Sequence, residues 1–134
     1  MICMKNKISD DEFLCRRFTN VNIKNNKINY SLFMDKNNEL SVDRSYSRSD
    51  ESIMNHEIKI FKSTTKKNSK VRFCGFVKLS VIKVKELSVK IKWDPTFKNR
   101  FHSLIMNELD DDLEKRINAK KMCDIGIIVN YEEK

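Results

Sequence analysis

Residues 71–93 read VRFCGFVKLSVIKVKELSVKIKW, and their spacing carries most of the fold class. Val71, Phe73, Phe76, Val77 and Leu79 make a β-rich run, with Gly75 marking a bulge or a close backbone approach. Val81, Val84 and Leu87 recur at i, i+3, i+6, which fits one brief helix, and Val89, Ile91 and Trp93 then alternate as a strand does. Asp94-Pro95 ends that strand, because proline has no amide to give to a ladder.

Working outward toward the C-terminus, residues 101–106 suggest a further strand and 107–122 the clearest helix. Leu109, Leu113 and Ile117 lie one turn apart on the face expected to be buried. Asp110, Asp111 and Asp112 crowd its first turn and Lys120 and Lys121 its last, in keeping with the helix dipole. Consecutive helical positions point about 100° apart, so three adjacent aspartates do not converge on a Mg²⁺ or Ca²⁺ ion. Residues 125–129 have the β-branched content of a central strand, and the tail 132–134 is expected to fray.

Toward the N-terminus, Ile53, Met54, Ile58 and Phe61 have helical spacing behind Ser49, a natural cap, and predict a helix over 50–62. Leu40 and Val42 alternate with polar residues after the turn Asp35-Lys36-Asn37-Asn38, and Ile28, Tyr30 and Leu32 alternate before it, which suggests a hairpin. Residues 20–29 read as a loop or an irregular strand pair. Ser9-Asp10-Asp11-Glu12 spells a capping box and predicts a short helix burying Phe13, Leu14 and Phe18. The sum is a single α+β domain over residues 1–134, with a mixed or antiparallel sheet of about five strands on two or three helices.

The 134 residues include 27 Lys+Arg, 19 Asp+Glu, eight Phe, one Trp, two Gly and one Pro, a composition that supports a real core and excludes collagen, coiled coil and low-complexity polymer. No apolar run approaches the roughly 20 residues of a membrane span, and the opening MICMKNK has no apolar block with a small-residue cleavage site. A cytoplasmic protein without a membrane partner is expected. Cys3, Cys15, Cys74 and Cys123 are 12, 59 and 49 positions apart, with no C-x-x-C pair. Reduced, partly buried thiols fit better than a disulfide framework. With only His56 and His102 to join them, no metal site and no cofactor is expected.

The charge is unevenly placed. Eleven basic residues and one acid, Glu86, fall between Lys59 and Lys92, a local net of +10 in a chain whose total is +8. Lys59, Lys66, Lys67, Lys70 and Arg72 are the residues expected to meet nucleic acid or an acidic protein, with Phe73, Phe76 or Trp93 as stacking surfaces if exposed. A solvated lysine face is the plain alternative.

No Gly-rich phosphate loop is open to a chain with only Gly75 and Gly126, and no G-x-S-x-G or H-E-x-x-H spelling occurs. Three polar constellations remain. They are Arg16 and Arg17 between Phe13 and Phe18; Ser41, Asp43 and Arg44 on one strand; and Asp94, Asn99, Arg100 and His102 at a strand break. An ion pair, a cap and an Asx turn explain them without a ligand.

The segments SDDEFLCRRF (9–18), ELSVDRS (39–45), CGFVKLSVIKVKEL (74–87) and KWDPTFKNRFHSLI (92–105) resemble a family of small uncharacterised bacterial proteins. That family carries a tyrosine-arginine-arginine step, an LSVDR strand, a Gly-led apolar stretch, and DP followed by NPxHA. Here Cys15 stands in place of the tyrosine, and Arg100 and Ser103 in place of the last motif's proline and alanine. The resemblance implies a stand-alone intracellular domain from variable gene clusters that include phage defence, with no established reaction. It draws attention to Arg17, Ser41, Asp43, Arg44, Asp94, Asn99 and His102.

Two functions follow as expectations. The first is a non-catalytic binding or accessory module that engages a protein partner or nucleic acid through its basic face. The second is a small enzyme handling NAD or another nucleotide, ADP-ribosyltransferase-like or a nuclease. Arg17 and Ser41 are loosely similar to the arginine and serine of the transferases, whose late E-x-E pair is missing here. The two part on whether the seven singled-out residues converge in one cleft.

Overall fold

Glu12 is the residue on which the N-terminal reading turns. Its carboxylate reaches back to the Ser9 amide at 2.8 Å, as a capping box requires, but the same carboxylate is gripped by Arg44 at 2.9 and 2.7 Å. The chain therefore leaves the turn as a strand, β1 (Phe13–Thr19), and not as the expected helix. Local propensity yields here to pairing on both sides of the backbone. The computed structural model describes residues 7–34 and 37–132. Cys3 and the rest of residues 1–6, Asp35-Lys36 of the expected turn, and the last two positions of the tail lie outside them.

After β1 come a tight hairpin of β2 (Ile23–Lys24) and β3 (Lys27–Ile28), then β4 (Glu39–Arg44), α1 (Asp50–Thr64) and β5 (Phe73–Ser80). The brief helix α2 (Val81–Val84), β6 (Val89–Trp93), β7 (His102–Asn107), α3 (Asp112–Ile125) and β8 (Ile127–Asn130) complete the order. Six strands form one antiparallel sheet in the order β6-β7-β4-β1-β5-β8. The architecture is a single compact α+β domain.

Alternation along the strands divides the core. Leu14, Phe18, Leu40, Val42, Val77, Leu79 and Ile105 meet Leu32, Phe33, Ala119 and Met122 in the larger cluster, while Cys15 and Phe76 meet Ile53 of α1 in a smaller one. Gly75 is required where β5 crosses β8. Its φ is +139°, a Cβ there would lie 2.1 Å from the Val129 carbonyl oxygen, and the β1–β5 register slips beside it. No helix among the described residues is long and apolar enough to cross a membrane.

Ser49 caps α1 through its side chain, and Asn25 and Asn26 turn the β2–β3 hairpin with positive φ. Tyr30 and Leu32, expected in a strand, sit in a 3-10 turn over Tyr30–Phe33 that Asn29 caps. The largest correction concerns α3, which starts at Asp112 and not at 107 and runs to Ile125, so that Asn107 belongs to β7, Asp110 precedes the helix, Asp111 is its cap, and no basic residue lies in its last turn. Leu109 lies before the helix and is exposed, Leu113 and Ile117 face outward, Leu113 being 65% exposed, and the helix buries Asn118, Ala119 and Met122 instead. A single apolar row defines a face without saying what covers it; buried Asn118 is tolerated because its amide donates to Asn107 at 2.8 Å. β8, read as a central strand, is an edge strand with Ile127 and Ile128 half exposed.

Two stability measurements follow. Met122→Ala should cost ~2–5 kcal/mol in urea unfolding and Leu113→Ala less than ~0.5 kcal/mol, because only the first leaves a cavity; equal losses would overturn the assignment of faces. Burial alone would raise the pKa of Glu12, but the Arg44 fork and the Ser9 and Tyr46 amides hold it below the usual carboxylate range. Its contribution is then fully present above the ordinary Glu pKa and fades as pH falls through the lowered folded value. Glu12→Gln should lose ~3–5 kcal/mol at neutral pH, as a broken buried pair does, and the gap to wild type should narrow in acid.

Candidate active site

β1 pairs with β5 along its whole length but with β4 only at Leu14↔Arg44 and Cys15↔Asp43. Beyond Cys15 the two central strands part. Arg16 plugs the seam, its Nε donating to the Leu32 carbonyl at 3.0 Å and its Nη1 to the Ser41 carbonyl at 2.8 Å. Burial and neighbouring Arg17 push its pKa down to about 10, so the guanidinium stays charged. The parting strands, one flank of α1 and the loop before β7 enclose a cleft of about 700 Å³.

Five of the seven residues singled out in the sequence line this cleft: Arg17, Ser41, Asp43, Asn99 and His102. Asp94 joins them through His102. Arg44 does not; it is the largest fully buried side chain, held by Glu12 and flanked by the Tyr46 and Trp93 rings, and its role is structural. Arg44 and Asp43 are adjacent on β4, so alternation that buries the first delivers the second to the cleft.

Asp43, His56 and Arg17 line the cleft and meet Glu57, which is fully buried behind them. Arg17 Nη1 lies 3.2 Å from Glu57 Oε1 and 3.6 Å from Asp43 Oδ2, while His56 Nε2 lies 3.8 Å from Asp43 Oδ2 and 3.9 Å from Glu57 Oε2. Asn99 is oriented by the Phe101 amide, which donates to its Oδ1, so its Nδ2 donates to Asp43 Oδ1 at 2.7 Å. Because Asn99 Oδ1 only accepts, His56 Nε2 carries a proton toward it at 3.0 Å. Burial lowers the pKa of His56 against the pull of the Asp43 charge, which favours the neutral ring.

Two carboxylates in one dry site do not both ionise. Burial, then the hydrogen bond and charge of Asp43, raise Glu57 far above the carboxylate range; burial opposes ionisation of Asp43 too, but Glu57, Asn99 and Arg17 hold it low. The pair keeps one proton, on Glu57.

A second group lines the wall. His102 Nδ1 faces the Asp94 carbonyl at 2.8 Å and its Oδ2 at 3.4 Å, both acceptors, so Nδ1 bears the proton and Nε2 accepts from the Ser41 hydroxyl at 3.2 Å. Hydroxyl, imidazole and carboxylate thus stand in the order of a nucleophile, its base and the group that orients the base. Cys15, also on the lining, is no rival nucleophile, since burial drives its thiol pKa far up.

The basic segment meets the same cleft. Lys59 and Lys98 line it, and Lys66 lines an adjoining hollow that shares Thr64, Thr65 and Val71 with it. Lys67, Lys70 and Arg72 are exposed, and the loop is tied to β1's end by Asn20, which accepts from the Arg72 amide at 2.7 Å. The expected stacking aromatics are engaged elsewhere: Phe76 is buried, Phe73 packs on Phe61 and Tyr131, and Trp93 donates to the Arg100 carbonyl. Phe97, next in sequence to cleft residues Thr96 and Lys98, is a fully exposed ring.

Sequence reading missed His56, Glu57, Phe97 and Lys98. Glu57 had a signal, an acid one turn after Ile53 and one turn before Phe61 on the apolar row of α1. No family model, curated protein or solved structure matches the chain, so the site is interpreted from its own geometry.

The proton on Glu57 has a measurable consequence. A carboxyl whose folded pKa is raised destabilises the fold progressively as pH climbs above its unfolded value. Glu57→Gln keeps the shape and removes the titration. Its melting temperature should therefore gain on wild type as pH rises from 5 to 9, and a difference independent of pH would show that the pair does not hold the proton.

Proposed function

We propose that this protein is a small nucleotide-handling enzyme that cleaves a phosphoester bond of a nucleic-acid strand. The observation that carries the reading is the meeting, in one cation-lined cleft, of Arg17 with the Ser41–His102–Asp94 relay. Lys66, Lys59, Arg17 and Lys98 supply positive charge for a backbone led in from the basic loop, and Phe97 offers a face for a base. In the proposed reaction Ser41 Oγ attacks phosphorus as its proton passes to His102 Nε2. The bond from phosphorus to the leaving oxygen breaks, and the imidazolium returns that proton to it. Water then hydrolyses the phosphoserine. Arg17 neutralises the charge that gathers on the non-bridging oxygens.

A second reading, an accessory module that docks a protein, draws on the outward row Leu109, Leu113 and Ile117. The two separate in one experiment with a labelled single-stranded oligonucleotide. Binding, measured in EDTA, should fall steeply with salt yet persist at physiological ionic strength, and Phe97→Ala should weaken it by ~1–3 kcal/mol as loss of a stacking ring does. Cleavage, measured with divalent cations added, should vanish in Ser41→Ala while binding remains. Wild-type binding without turnover would overturn the enzyme and leave the accessory module; binding lost at physiological salt would return the lysines to a solvated face.

A further inference from the structure

Asp43 Oδ2 and Glu57 Oε2 are buried, and apart from the proton that the two carboxyls hold between them no other residue gives either oxygen a hydrogen bond. Their side chains are 3% and 0% exposed. Both oxygens lie beside His56 Nε2, at 3.8 and 3.9 Å, and one ligand atom from each of the three residues falls within 4.8 Å of the others. A point equidistant from three atoms so spaced is about 2.0–2.5 Å from each, the bond length of oxygen and nitrogen ligands to divalent cations. We propose that Asp43, His56 and Glu57 form a binding site for a divalent first-row transition ion at the floor of the cleft.

The donor set selects the class of ion. Two carboxylate oxygens and one imidazole nitrogen suit Mn²⁺, Fe²⁺, Co²⁺ or Zn²⁺, whereas Ca²⁺ and Mg²⁺ favour all-oxygen shells. Asp43 and His56 both line the cleft, which gives the ion an entrance and leaves its outer coordination positions facing any bound ligand. Asn99 already anchors the other oxygen of Asp43, a support of the kind that holds a ligating carboxylate in place. Ligation by Nε2 replaces its hydrogen bond to Asn99 and moves the proton of the neutral ring to Nδ1, a tautomer change without change of charge, while ligation by Glu57 releases its proton to solvent. Arg17, one-third exposed, shares Asp43 Oδ2 and has solvent to swing into when the ion enters. The acidic triplet of α3 is a competing attractor for cations, and it holds Lys115 through Asp110.

The site stands on its own geometry and does not need the phosphoester reading. The test uses the full chain and Mn²⁺ alone, with no nucleotide. Titration followed by the electron paramagnetic resonance signal of free Mn²⁺ should show one ion bound per chain. Asp43→Asn and Glu57→Gln, checked for folding by circular dichroism, should each weaken binding by at least about tenfold, as loss of a direct ligand must exceed loss of a supporting group, while Asp110→Asn leaves it unchanged. In the unmutated protein, electron spin-echo modulation should reveal a directly bound imidazole nitrogen. No saturable binding, absence of the nitrogen modulation, or loss of affinity only in Asp110→Asn would each overturn the site. Because oligonucleotide binding is read in EDTA, it survives or fails independently of this result.

Discussion

The buried pair of Arg44 and Glu12 is the constraint on which the remainder of the structure depends. Two charges removed from water are tolerable only when nearly every polar valence is met, and here the fork of Arg44 closes on both oxygens of Glu12 while two backbone amides complete them. The Tyr46 and Trp93 rings flank the guanidinium. This one contact joins the N-terminal turn, β4 and the edge strand β6. The capping contact that Ser9 to Glu12 spells is made, but the same carboxylate ties the turn to β4, and the chain continues as β1 with no helix behind the cap.

What the pair fixes on one side of β4 it determines on the other. With Arg44 drawn into the core, Asp43 must point to the opposite face, and Ser41 with it. Asp43 stands opposite His102 on β7 and Cys15 on β1, so the strand pairing itself assembles the acid, the imidazole and the arginine-bearing strand. The early parting of β1 and β4 makes this assembly accessible. A seam between central strands exposes backbone carbonyls, and Arg16 covers that of Ser41 on β4 together with that of Leu32 in the adjoining 3-10 turn. Adjacent arginines on β1 therefore do different work: Arg16 seals the gap and Arg17 reaches into the cleft.

The site concentrates unfavourable electrostatics in a small volume. Asp43 and Glu57 are buried side by side, each with an oxygen that no donor outside the pair serves. Such an arrangement lowers stability and is characteristic of functional sites more than of cores. A proton shared by the pair relieves it, and so does a divalent cation with His56 as third ligand. Either state leaves Asp43 on the lining of the cleft that Lys98 also lines.

The sequence by itself determined the element types wherever the pattern was both local and strong. The alternation of Val89, Ile91 and Trp93, the Ser49 cap with the row behind it and the Gly75 bulge all depend on neighbours along the chain, whereas the Asn-rich stretch, open in sequence between a loop and a strand pair, is the β2–β3 hairpin. The sequence also singled out Arg17, Ser41, Asp43, Asn99 and His102 of the cleft, because polar residues at strand ends and breaks are unusual enough to notice. Only tertiary structure decided which faces are covered. Leu109, Leu113 and Ile117 read as one apolar row, but Leu109 precedes α3 and all three are exposed, while Ile127 and Ile128 lie on an edge and not in the middle of the sheet. Arg44 and Asp43 look alike in sequence as adjacent charges, yet one is core and the other site. Their separation arises from an ion pair spanning 32 positions, and no window read along the chain contains both partners.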